Sequence, residues 1–172
     1  KNKLAGDLPV LELPVDFPRS SRVSSSGDSL VIEIGNELVE EIRKVAQANG
    51  VTLFMFGLAA FKMLMRHYSG QEELIVGTPI GNRGKPELES MLDNVFCSEW
   101  FVRTFTSKVE IYLNLEQQNG QWVSVIEYNS DLFSAASITR LSRHWKKLLE
   151  EICMNPEQTV SELARGSEPE GK

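Results

Sequence analysis

The run VTLFMFGLAAFKMLMRHYSGQEELIVGTPIGNR, residues 51–83, carries the strongest pattern in the chain. From Thr52 to about Tyr68 it reads as one helix, and apart from Lys62 it is apolar on every side through Met65. A helix of that kind is expected at the centre of a domain, covered on more than one face. Ser69-Gly70 supplies the stop, because glycine readily takes the left-handed conformation that ends helices. Beyond it, Leu74 to Pro79 is a short continuous apolar run, which predicts an interior strand. Gly81 to Pro86 follows as a loop, and Glu87 to Leu92 as a turn or two of helix.

Upstream, Glu37 to Asn49 has the spacing of an amphipathic helix, with Asn36 as N-cap and Gly50 as its stop. Leu38, Ile42, Val45 and Ala46 form its expected buried stripe. Ser29 to Ile34 reads as a strand ended by Gly35. Prolines at 9, 14 and 18 hold the opening stretch extended along a surface, and residues 20–28 are polar and flexible. Downstream, three strands are expected: Asn94 to Thr104, Lys108 to Gln118 and Trp122 to Tyr128. In the second, Val109, Ile111, Leu113 and Leu115 alternate with residues expected to face water. Asn119-Gly120 is a hairpin signal for a type I′ turn. Ser137 to about Met154 is the last helix, with Ile138, Leu141, Trp145, Leu148, Leu149 and Ile152 on its inner face. Pro156 bars its continuation, and Val160 to Leu163 reads as a short turn. The interleaving predicts an α/β fold, a two-layer sandwich with helices packed on one face of a mixed β-sheet. The division expected is an extended opening stretch over 1–27, which the resemblance given below makes an interlobe linker, one globular unit over 28–163 and a disordered tail over 164–172.

Composition narrows the function classes. The 172 residues are 41% hydrophobic, enough for one sizeable core, and carry a net charge of −6. That charge offers no general attraction to nucleic acid or to an anionic membrane. The longest apolar run, Leu53 to Phe61, falls far short of the roughly 20 residues that a membrane span needs. Cys97 and Cys153 are too few and too far apart for a disulfide framework or a cysteine-rich metal site, which fits a reducing cytoplasm.

Several phrases occur together and in order that resemble those of nonribosomal peptide synthetase condensation domains. KNKLAG (1–6) and LELPVDFPR (11–19) resemble the crossing from the family's first half into its second. Residues 51–83 resemble its central helix, its "RYSGQ" turn and its "VGTPIANR" strand and loop. EYNSDLF (127–133) resembles the "EYNTDLF" ahead of the final helix. The resemblance implies the C-terminal lobe of the chloramphenicol-acetyltransferase-like fold. Two such lobes form a V, and substrates arrive on the phosphopantetheine arms of carrier proteins. An acyl or peptidyl thioester is attacked by an amine to give an amide. The implied partners are an N-terminal condensation lobe and carrier proteins, with no cofactor bound directly to this chain.

Two departures from the family accompany the resemblance. The family's HHxxxDG motif, on its first lobe, is absent, since His67 and His144 are the only histidines. Where the family reads roughly "GxFVNTLxLR", this chain has Ser98 and Glu99 in place of Asn and Thr, although Arg103 matches. Immediately afterwards several dozen family residues, including the element that bridges the lobes, have no counterpart. A lobe that is non-catalytic by itself is therefore expected. The alternative is one wall of an acyltransferase or epimerization site completed by an N-terminal lobe. With both family contacts removed, a homodimer or larger assembly is expected, formed through a sheet edge or the former lobe interface.

No catalytic residue and no metal ligand is assigned. His67 stands at a helix end, where a cation suits the dipole, and His144 adjoins the buried Trp145; both read as structural. Cys97 and Cys153 read as packing residues, since no histidine neighbours either in sequence. Glu33, Glu99 and Glu110 could pair as carboxylates, but acids scattered on strands read more simply as solvated. The candidates for the interlobe cleft and the pantetheine arm are Asn82, Arg83, Ser98, Glu99 and Arg103. For Arg83, an ion pair with a nearby acid is the plainer reading and a pantetheine-phosphate contact the functional one.

Overall fold

In the computed structural model, residues 9–19, 26–77 and 109–158 are described. The elements run β1 (Gly27–Glu33), α1 (Asn36–Ala48), α2 (Leu53–Ser69), β2 (Ile111–Gln118), β3 (Gln121–Asn129) and α3 (Ala135–Met154). β3 lies between β1 and β2 and pairs antiparallel with both. α1 and α3 lie against this sheet and α2 packs on those two helices, which gives the expected two-layer arrangement.

The hairpin between β2 and β3 is where local sequence alone sets the geometry. Asn119 (φ 51°) and Gly120 (φ 80°) both take positive φ, as a type I′ turn requires. That turn pairs Gln118 with Gln121 and fixes the register back to Ile111 opposite Tyr128. Side chains then alternate between faces. Trp122, Ser124, Ile126 and Tyr128 share the helix-facing row with Leu113 and Leu115 of β2 and with Leu30 and Ile32 of β1. Except for Ser124, these side chains belong to one hydrophobic core with Ile42, Leu64, Ile138 and Trp145.

Three expectations about helices change. α1 buries Val39, Ile42 and Ala46, while Leu38 and Val45 flank this line half-buried, so the inner stripe is centred one residue away from the expected one. Asn36 does not cap the helix. Gly35 holds the cap position at φ 85°, and Asn36 turns to the hairpin instead. Its amide donates to the Gly120 carbonyl (3.2 Å), and its oxygen accepts from the Trp122 amide (3.3 Å). The central helix is α3, which lies against β1 and β3 and touches both other helices. α2 packs on α1 and α3 and closely approaches no described strand. It buries Phe56, Ala60, Leu64 and Met65 but leaves Met55 51% exposed, so it is not covered all round.

The interior strand expected over 74–79 does not appear in its described part. Residues 73–77 join no strand, although Leu74 packs against the core. A strand needs a partner as well as a sequence, and none of the described strands pairs with these residues. The strand expected over Asn94–Thr104 and the turn over Glu87–Leu92 lie outside the described residues. Among the described residues no single helix is long and apolar enough to cross a membrane.

Candidate functional site

Residues 9–19 form an extended strap, and the quoted phrases meet around it. Proline prevents helix here, and apolar side chains at alternate positions turn inward. Leu13 is buried, and Leu11 and Val15 are half-buried against the core. At one end the strap is held by Gln71, in the turn after α2. The Gln71 amide nitrogen donates to the Val10 carbonyl (2.9 Å), and its oxygen accepts from the Glu12 amide (2.8 Å). One side-chain amide thus supplies the two bonds that a neighbouring strand would. The Gln71 backbone N–H donates to Ser69 Oγ (3.2 Å), which sets the turn that presents this side chain.

At the other end Asp16 binds the start of α3. Its backbone N–H donates to the Leu132 carbonyl (2.9 Å). Its carboxylate accepts from the Ser134 amide (2.8 Å) and from Ser137 Oγ (2.8 Å). Ser134 also caps α3 itself, accepting from the Ser137 amide (3.2 Å). A carboxylate at a helix N-terminus is favoured by the free amides and the dipole. The Ser134 amide accordingly holds the Asp16 carboxyl below its ordinary range, against a smaller upward push from burial. Arg19 ends the described strap in a two-pronged ion pair with Glu110, whose second bond measures 3.2 Å.

Between these clamps, α2 and α3 bring both histidines together. Tyr68 Oη lies 2.6 Å from His144 Nδ1, with the two rings stacked at 29°. His67 stands edge-on to both, 5.4 Å from the Tyr68 ring and 6.3 Å from the His144 ring. Burial lowers the His144 pKa, and His67, Arg140 and Lys147 add to the effect by repulsion. Burial raises the Tyr68 phenol, against an opposing pull from Arg140. The arrangement suits a neutral imidazole accepting a phenolic proton. A catalytic base would need an orienting acid, and among the described residues no carboxylate hydrogen-bonds either ring. Among the described residues no three His, Cys, Asp or Glu side chains gather as a metal ion would require.

The opposite face of the sheet carries acids that sequence reasoning missed. Glu116 is buried, accepting from Asn114 (2.8 Å) and Gln118 (2.6 Å). The Glu127 carboxyl is pushed up by burial and then by Glu116, and the Tyr112 phenol by burial and then by Glu127. Tyr112, Asn114 and Glu116 alternate with an apolar row and so read as facing water, yet all are at least half-buried. Of the three strand acids considered as a carboxylate pair, Glu110 binds Arg19 rather than another carboxylate, and Glu33 is exposed. Burial raises the Cys153 thiol, which keeps it in its protonated form. Asn82, Arg83, Ser98, Glu99, Arg103 and Cys97 lie outside the described residues.

Known proteins resemble this chain in sequence and in fold. The family profile described as "Condensation domain" matches residues 1–95 and 100–171. Tyrocidine synthase 3 of Brevibacillus parabrevis is 46% identical over 88 residues, covering 51% of this chain and 1% of that protein. A linear gramicidin synthase polypeptide of the same organism is 27% identical over 243 positions, covering 95% of this chain and 5% of that protein. The chain therefore spans only a small fraction of these relatives. A solved four-domain nonribosomal peptide synthetase, bound to AMP and glycine, superposes with a TM-score of 0.72 at 17% identity, over 89% of this chain and 19% of that one. The X-domain solved in complex with OxyB from teicoplanin biosynthesis superposes with a TM-score of 0.69 at 15% identity, over 94% of this chain and 53% of that one.

Proposed function

The chain belongs to the condensation-domain family of nonribosomal peptide synthetases, and from that premise we propose that it is the family's C-terminal lobe, non-catalytic by itself. Its family's reaction joins a carrier-bound acyl or peptidyl thioester to an aminoacyl group through an amide bond. That reaction needs two tethered reactants to be positioned and the developing oxyanion to be supported.

One observation carries the reading. The phrase that resembles the crossing between lobes, LELPVDFPR, forms a strap clamped by Gln71 and Asp16 rather than a strand of this sheet. A segment arriving from another lobe would be fastened in this way. Coverage of about half of the X-domain chain supports a single lobe. The alignment with the linear gramicidin synthase needs 243 positions to accommodate 95% of a 172-residue chain, which supports an absent internal block. The division into a linker over 1–27, a lobe over 28–163 and a tail over 164–172 belongs to the same proposal. Asn82, Arg83, Ser98, Glu99 and Arg103 would face the cleft and the pantetheine arm. The partners would be an N-terminal lobe and carrier proteins, the phosphopantetheine being theirs. Self-association would bury surfaces that the family's other lobe covers. The second reading, one wall of a condensation or epimerization site, requires an N-terminal lobe bearing HHxxxDG.

The test mixes the purified chain with donor- and acceptor-loaded carrier proteins and looks for the condensed product by mass spectrometry. No product above the uncatalysed background is expected. Turnover lost on changing His67 or His144 to alanine would overturn the non-catalytic reading.

A further inference from the structure

We propose that Tyr68 and His144 form an acid-sensitive latch that holds the 9–19 strap on the lobe. Both clamps on the strap connect to this pair. Tyr68 is in the last turn of α2, three residues before Gln71, and the intervening Gly70 turns the chain at φ 69°. Fixing the phenol at 2.6 Å from His144 Nδ1 therefore fixes the turn from which Gln71 reaches Val10 and Glu12. On the other side, Arg140 lies near enough to Tyr68 to pull its phenol downward, and it donates to Ser137 Oγ (3.1 Å), which in turn donates to Asp16 (2.8 Å). Gln71 is thus reached through Tyr68, and Asp16 through Arg140 and Ser137.

The latch is made for a neutral imidazole. We assign the tautomer with the ring hydrogen on Nε2, in which Nδ1 accepts the phenolic proton and can do so only while it carries none itself. Protonation removes that acceptor and sets a new positive charge among groups that repel it. His67 faces it from α2, and Arg140 and Lys147 from one turn before and after on α3. Arg140 passes on the consequence, because it also bonds Ser137. Acid therefore loosens both clamps together. This holds for the lobe whatever reaction it serves.

Amide NMR of the 172-residue chain, titrated from about pH 7.5 to about pH 5.0 across the ordinary histidine range, tests the latch. The Gln71 side-chain NH₂ and the Ser134 amide report the two clamps, and the His144 ring reports its own charge. Both clamp signals are expected to move with the His144 titration, at a midpoint below the ordinary 6.5. His144→Gln should abolish that movement. His67→Gln should preserve it and raise the midpoint, since one repelling group is gone. In Tyr68→Phe the Gln71 signal should already sit at its acid position at the neutral end of the titration. Clamp signals that stay still while His144 titrates, or that move unchanged in His144→Gln, would overturn the latch.

Discussion

Ser124→Ala is expected to be among the most damaging single-atom changes available in this lobe. Ser124 is fully buried on the helix-facing row of β3, and its Oγ accepts the indole N–H of Trp145 at 2.9 Å. Trp145 is itself 2% exposed, on the central helix, so water cannot replace the lost acceptor. A buried donor left unmatched costs about 1–3 kcal/mol. Taking the middle of that range, about 2 kcal/mol, folding weakens by roughly thirtyfold at about 1.4 kcal/mol per tenfold. With a urea dependence of about 1–3 kcal/mol per molar, the unfolding midpoint should fall by about 1 M. Tryptophan fluorescence in a urea series reads this directly. Ser142→Ala is the control: Ser142 is also buried, but its hydroxyl donates to the Thr139 carbonyl (2.8 Å), which remains inside the α3 ladder. Its loss should cost less than about 1 kcal/mol. In a Trp145→Phe background no indole N–H exists at this position, and the same Ser124→Ala change should cost far less. Equal costs in the two backgrounds, or a Ser142→Ala penalty above that of Ser124→Ala, would refute the reasoning.

The remaining predictions concern the turn and the strap. Gly120→Ala forces a side chain into φ 80° and should cost about 1 kcal/mol, read in the same urea series. Asp16 contributes stability that is present above its ordinary value of 3.8 and is lost as pH falls through its lower folded value. Asp16→Asn should therefore be less stable than the parent at neutral pH, with the gap closing as the solution is made strongly acid. A gap that is constant across that range would mean the carboxylate charge does not matter to α3. For the latch the sign runs the same way. The lowered His144 value means stability is intact above pH 6.5 and declines as pH falls through the folded value, a loss that His144→Gln should remove.

The sequence by itself determined whatever depends on neighbours along the chain. The Asn119-Gly120 turn sets the β2–β3 register, because few other residues accept two successive positive φ values. Thr52, Gly70 and Pro156 bracket their helices through groups within a few residues. The inner face of α3 was legible because 3.6-residue spacing maps directly onto burial. The resemblance of the quoted phrases likewise identified the family without coordinates. The tertiary structure decided whatever needs a partner from elsewhere. Residues 74–77 have the composition of a strand yet pair with no described strand, and α2 has the composition of a central helix but a peripheral place. Glu116 looks solvated in its strand and is buried in the sheet. Asn36 looks like a cap, yet it serves a hairpin 84 and 86 residues away, and Gln71 serves a strap 59 and 61 residues upstream. His67, Tyr68 and His144 come together only because α2 packs on α3. Local pattern fixes backbone preference and the face a side chain occupies. Which donor meets which acceptor is settled by packing, where each buried polar group must find its match.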